Sequence, residues 1–176
     1  MKLAIVLALA CLLHFGCGDK VKPNVLSTID SKSLPQQESW KSRITVADSG
    51  IVRAVIDAGY FSVFENSQRT NMSQGVNALL FDRSGKQQTH MSSEVAAIDE
   101  GSNNLEAHKN VVVWSDDSTV LRTEDLFWDN QRQLIYTPAF VTITSPKERL
   151  QGLGFESDQS LRNYKVFRVT GETRGE

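Results

Sequence analysis

The stretch Leu121–Ile143, LRTEDLFWDNQRQLIYTPAFVTI, decides the fold class. It reads as a strand, a polar turn at Asp129-Asn130-Gln131, and a returning strand. Two other stretches align with it: MSSEVAAIDEGSNNLEAHKNVVV from Met91, and LQGLGFESDQSLRNYKVFRV from Leu150. The turn aspartates Asp99, Asp129 and Asp158 recur at matching places, so the unit is a hairpin that repeats. Alternation then assigns faces. Ala96 and Ile98 match Leu126 and Trp128, and then Phe155. In the returning strands Leu105, Ala107, Val111 and Val113 match Ile135, Thr137, Val141 and Ile143, and Tyr164 and Val166 continue the series. The other face carries Glu94, Glu106, His108, Asp125 and Lys165. Hairpins stacked in order bury one continuous apolar face.

The grammar extends toward the N-terminus. Asp48-Ser49-Gly50, Asp82-Arg83-Ser84-Gly85 and Asp116-Asp117-Ser118 each follow a run of β-forming residues and suit a chain reversal. No segment holds helical periodicity for long. Pro138 and Pro146 are expected at edges or turns. The fold class is therefore all-β: an elongated, twisted jelly-roll or solenoid-like stack of antiparallel hairpins, preceded by a signal or anchor segment.

That segment is the N-terminus. Lys2 precedes the apolar run LAIVLALACLLHF, which ends at Gly16-Cys17. The run suits a signal-peptide core and is too short to span a bilayer. A small residue followed by Cys resembles a bacterial lipoprotein signal, which makes Cys17 the expected lipid anchor and the membrane a partner through it. His14 and Phe15 depart from that pattern, and an uncleaved anchor is the alternative. The expected organisation is residues 1–16 signal, 17–39 tether, and 40–176 a single β domain. Cys11 and Cys17 are the two cysteines of the chain, so loss of one and acylation of the other leaves neither a disulfide nor a cysteine zinc site.

Composition excludes more than it assigns. The 176 residues are 40% hydrophobic and 23% charged, enough for one real core. The 19 basic and 21 acidic residues give a net charge of −2, or −3 once Lys2 leaves with the signal. A mildly acidic chain without basic runs has no electrostatic case for nucleic acid. No nucleophile elbow or phosphate loop occurs. His90 and His108 are read as solitary surface residues, so no metal site and no cofactor are expected. Asp82, Asp99, Asp129 and Asp158 could be acid and base groups of a solenoid polysaccharide enzyme, but their regular recurrence favours turn capping.

From Ile51 to Gly171 the chain resembles the LptC family, on GVNALLFDRSG (Gly75 to Gly85), NNLEAHKNVVVW (Asn103 to Trp114), LRTEDLFWD (Leu121 to Asp129), IYTPAFVTIT (Ile135 to Thr144) and LQGLGFESD (Leu150 to Asp158). Many members keep a transmembrane helix where this chain has a lipoprotein-like signal. The resemblance implies a periplasmic, non-enzymatic bridge at the inner membrane. It would accept lipopolysaccharide from the ABC transporter through its permease subunits (LptF and LptG) and pass it to LptA, a similar soluble jelly-roll. Val111, Val113, Leu126, Trp128, Val141, Ile143 and Phe155, which share the apolar face, are the expected lipid-groove residues. Gly152 and Gly154, matching the family's glycine pair, are the expected backbone-bend positions. Asn163 to Val169 is the candidate edge toward LptA, and Arg43 to Ala47 the candidate edge toward the transporter. The competing readings are a structural adaptor lipoprotein with a filled core, and the polysaccharide enzyme.

Overall fold

The computed structural model describes residues 34–64 and 68–174, which belong to one compact unit, Ser31–Glu176. Residues 1–33, which hold the expected signal, most of the expected tether and Cys17, lie outside the described residues. The described chain is ten strands: β1 (Gln37–Asp48), β2 (Ile51–Val63), β3 (Arg69–Phe81), β4 (Gln87–Ser93), β5 (Val95–Asp99), β6 (Asn104–Ser115), β7 (Val120–Asp129), β8 (Leu134–Thr144), β9 (Glu148–Ser157) and β10 (Tyr164–Arg174). The three repeat units are the hairpins β5–β6, β7–β8 and β9–β10. Strand structure begins already at Gln37, ahead of the Trp40 boundary read from composition.

All ten strands form one antiparallel sheet in the order β1-β2-β3-β4-β6-β7-β8-β9-β10. β5 continues the line of β4 and bridges β3 and β6. The connectivity is a meander, with β1 and β10 at the two edges.

Each long strand is interrupted near its middle. The β1–β2 ladder skips Lys41 and Gly59, and the β2–β3 ladder skips Gly59 opposite Gln74 and Gly75. Glu94 separates β4 from β5. Lys109 and Asn110 fall out of the β6–β7 ladder, Pro138 and Ala139 out of β8–β9, and Gly154 out of β9–β10. Lys41, Gln74, Gly75, Lys109, Asn110 and Gly154 all have positive φ, the mark of a bulge that bends its strand. These bulges form a seam across the whole sheet. Along it Gly75 N donates to Glu94 O, Glu94 N donates to Lys109 O, and Asn110 Nδ2 donates to the Glu94 carboxylate. Pro138 therefore sits inside an interior strand, at the seam, where no ladder bond is lost.

The seam folds the sheet into two layers. Glu148 and Tyr164 belong to opposite ends of the β9–β10 ladder, yet Tyr164 OH donates to Glu148 Oε1 at 2.7 Å. The β9–β10 turn meets the β6–β7 turn through Arg162 and Asp116, at 2.9 Å. Between the layers lies one apolar cluster running from Ile56 and Phe61 to Phe155 and Leu161. Burial of this size is the main stabilising term, at about 25 cal/mol per Å² of apolar surface.

Candidate functional site: an apolar trough between two layers

Toward the β1 end the layers part and leave a trough of about 1040 Å³. One wall is built by Val46, Ala54 and Leu80, which are cross-strand neighbours, and behind them by Ile56, Ala78, Met91 and Val113, which also pair in sequence across the sheet. The other wall is the row Ile98, Leu105, Trp128 and Ile135, each paired to the next, with Leu126 behind. Polar groups sit at the mouth: Ser49, Arg53, Asp82 and Arg83 from the first layer, and Asn103, Asn130 and Gln133 from the turns of the second.

Toward the β10 end the interior is filled. Val111, Val141, Ile143 and Phe155 are at most 1% exposed. The β9–β10 turn closes this end by placing Leu161, fully buried, over the interior with a φ of 58°. Of the seven residues expected to face a groove, Val113, Leu126 and Trp128 line the trough, and the other four lie in the closed core. The sequence reading did not reach Val46, Ala54, Ile56, Ala78 and Leu80. They lie outside the three repeats, and Ile56, Ala78 and Leu80 read there as ordinary strand residues.

Gly154 lies on the seam with a φ of 81°, and a Cβ there would meet the Phe167 ring at 3.3 Å. Gly152 has no unusual φ, but a Cβ would lie 2.3 Å from Arg168 O and 2.6 Å from Val166 Cγ1. A side chain there would collide with β10 backbone.

The turn carboxylates have structural partners. Asp82 Oδ1 accepts from the amides of Ser84 and Lys86, Asp99 from Ser102, Asp129 from Arg132, and Asp158 from Ser160 and Arg162. The hydroxyls of Ser84 and Ser102, ahead of the amides, hold Asp82 and Asp99 below the usual carboxylate range. These carboxylates are spread over separate turns. A second, shallow polar cleft of about 610 Å³ near β10 does contain Glu148 and Glu156. Glu148 accepts from Tyr164 and Glu156 is paired with Arg132 at 3.0 Å, so both are engaged.

The histidines are less solitary than their sequence context suggests. His90 stacks on Trp114 at 5.0 Å, and His108 Nδ1 lies 2.7 Å from Asp125 Oδ1 on the outer face. Among the described residues no group of His, Cys, Asp and Glu could hold a metal, and no helix is long and apolar enough to cross a membrane.

Among the described residues both sheet edges are unpaired, and both are partly apolar. Phe167 and Val169 on β10 are 53% and 51% exposed, and Trp40 on β1 is 61% exposed.

Among curated proteins none matches this chain. A family model described as lipopolysaccharide-assembly, LptC-related, matches residues 3–173.

Proposed function

The chain belongs to the LptC family of lipopolysaccharide-assembly proteins, and from that premise we propose that it is a membrane-anchored periplasmic bridge for lipopolysaccharide. Membership itself carries a role in lipopolysaccharide transport. The finer reading is that the trough takes acyl chains released by the inner-membrane transporter, and that the molecule is handed on at the opposite edge.

The observation that carries this reading is the parted β1 end of the folded sheet. A trough of about 1040 Å³ walled by Ile98, Leu105, Trp128, Ile135, Ala54 and Leu80 is costly to leave in water. Acyl chains entering it would gain about 0.8 kcal/mol per buried CH₂. Unpaired strand edges are ordinarily a hazard. Here β1 would dock on the permease subunits and β10 on an LptA-like jelly-roll by strand addition. Lipid transfer needs no bond made or broken in this chain, and the work would come from ATP hydrolysis in the transporter. Acylation of Cys17, or an uncleaved N-terminal anchor, would hold the domain at the periplasmic face of the inner membrane.

The test is photo-crosslinking in cells with a photoreactive residue at Trp128, on the trough wall, and at Glu124, exposed on the outer face. A lipopolysaccharide adduct at 128 alone, dependent on cellular ATP, is the expected result. No adduct at 128 in a folded, exported protein would favour a structural adaptor.

A further inference from the structure

The mouth of the trough is charged where its walls are apolar. Val46 pairs with Ala54 and Ala47 with Val52, so Arg53 is the extra residue of a bulge. Bulges re-aim side chains, and Arg53 lines the trough beside Ala54. Arg83, from the turn after β3, lines the same lip. The two segments are adjacent: a Cβ on Gly85 would lie 3.8 Å from Ile51 Cγ2.

Neither guanidinium has an ion-pair or side-chain hydrogen-bond partner among the described residues, whereas nearby cations do. Lys86 and Arg162 are held by Asp116, and Arg43 by Asp57. The one carboxylate lining the trough among the described residues is Asp82, whose Oδ1 is occupied by Ser84 and Lys86. Arg53 is only partly exposed. A half-buried cation without a partner, set against an apolar wall, is unfavourable by itself and favourable beside an anion. Across the mouth the groups are neutral amides: Asn103, and Asn130 and Gln133, which are hydrogen-bonded to each other.

We propose that Arg53 and Arg83 form a phosphate-reading lip, which binds the phosphate esters of an acylated sugar headgroup while its acyl chains lie in the trough. The ligand is thereby oriented, with its anionic end at the β1–β2 and β3–β4 turns. This rests on the lipid-carrier reading above.

The experiment titrates the full chain with bis-phosphorylated lipid A and with the same lipid after enzymatic removal of both phosphates, read by tryptophan fluorescence. Arg53→Gln with Arg83→Gln is compared with the wild type and with Arg122→Gln, an exposed control away from the trough. The double variant should bind phosphorylated lipid roughly tenfold more weakly and dephosphorylated lipid unchanged, with the control at wild-type affinity. Equal weakening on both lipids, or none on either, would overturn the phosphate lip while leaving the carrier reading intact. A wild type that binds neither lipid would overturn the carrier reading, and a thermal shift with inorganic phosphate, lost in the double variant, would then assign the lip to free phosphate.

Discussion

Thr89 on β4 donates its hydroxyl proton to the carbonyl oxygen of Gln159, 70 residues away in the β9–β10 turn, at 2.7 Å. Thr89 is 1% exposed. This bond, with the Arg162–Asp116 pair at 2.9 Å beside it, fastens the last turn over the filled end of the sheet. Thr89→Val keeps the shape and removes the donor, leaving a carbonyl without its partner. The expected loss of stability is about 1–3 kcal/mol in urea denaturation. Leu161→Ala should cost more, roughly 2–5 kcal/mol, because the side chain is fully buried. Wild-type midpoints for both variants would show that the turn is not a closure.

Gly152→Ala forces a Cβ to within 2.3 Å of Arg168 O, which is backbone and can move only with β10. The expected cost is about 1–3 kcal/mol, with faster amide exchange along β10. Gly50→Ala is the contrast. Nothing lies within 4 Å of a Cβ there, and only the φ of 82° opposes it, so the cost is about 1 kcal/mol and β10 exchange stays unchanged.

The closure should also respond to acid. A hydrogen bond from Arg162 holds the Asp116 carboxyl below its ordinary value of 3.8. Burial pushes Asp158 up, but hydrogen bonds from Asn163, Ser160 and the Arg162 amide outweigh it and the net shift is down. A carboxyl depressed in the folded state contributes stability that is full above the unfolded value and is lost as pH falls through the folded one. Stability should therefore be flat near neutrality and fall below about pH 4. Asp116→Asn should reduce that slope; a variant with the wild-type slope would remove Asp116 from the account.

Phe167 and Val169 are half exposed on the β10 edge and contribute little to the core. Replacing them together by Asp and Lys should change folding stability by no more than about 0.5 kcal/mol. Binding to a purified LptA-like partner, measured by calorimetry, should weaken at least roughly tenfold. Undiminished binding would move the outgoing contact away from β10.

The residue pattern made much of this legible, and the reasons differ by region. The hairpins β5–β6, β7–β8 and β9–β10 announce themselves because turn aspartates and alternation recur together, and Ala107, Val111, Leu126, Val141 and Phe155 are all buried as that alternation requires. The seam was not legible as a seam. In β7 the inward set passes from Leu121 and Thr123 to Leu126, and in β9 from Gly152 to Phe155. Such a change of parity marks a bulge only when the neighbouring strand is known. Lys109 and Asn110 at positive φ are ordinary surface residues by composition. The division of the apolar face into an open and a filled part was also hidden. Trp128 and Phe155 have the same pattern in sequence, yet Trp128 lines the trough and Phe155 lies in the buried cluster. The place of Arg53 on the trough is not legible in sequence, because its bulge depends on the register of β1 against β2.

The strands stand in the sheet in nearly the order in which they occur in the chain. Most ladders therefore join segments separated by one turn, where the entropy of loop closure is small, while β3–β5 and β4–β6 pair across an intervening strand. Assembly can proceed by accretion, each hairpin laid on the last. The bond between Thr89 and Gln159 and the Arg162–Asp116 pair join more distant segments and need both in place. Local ladders can form without that closure, and a chain lacking it would leave the site of Leu161, fully buried in the folded protein, open to water.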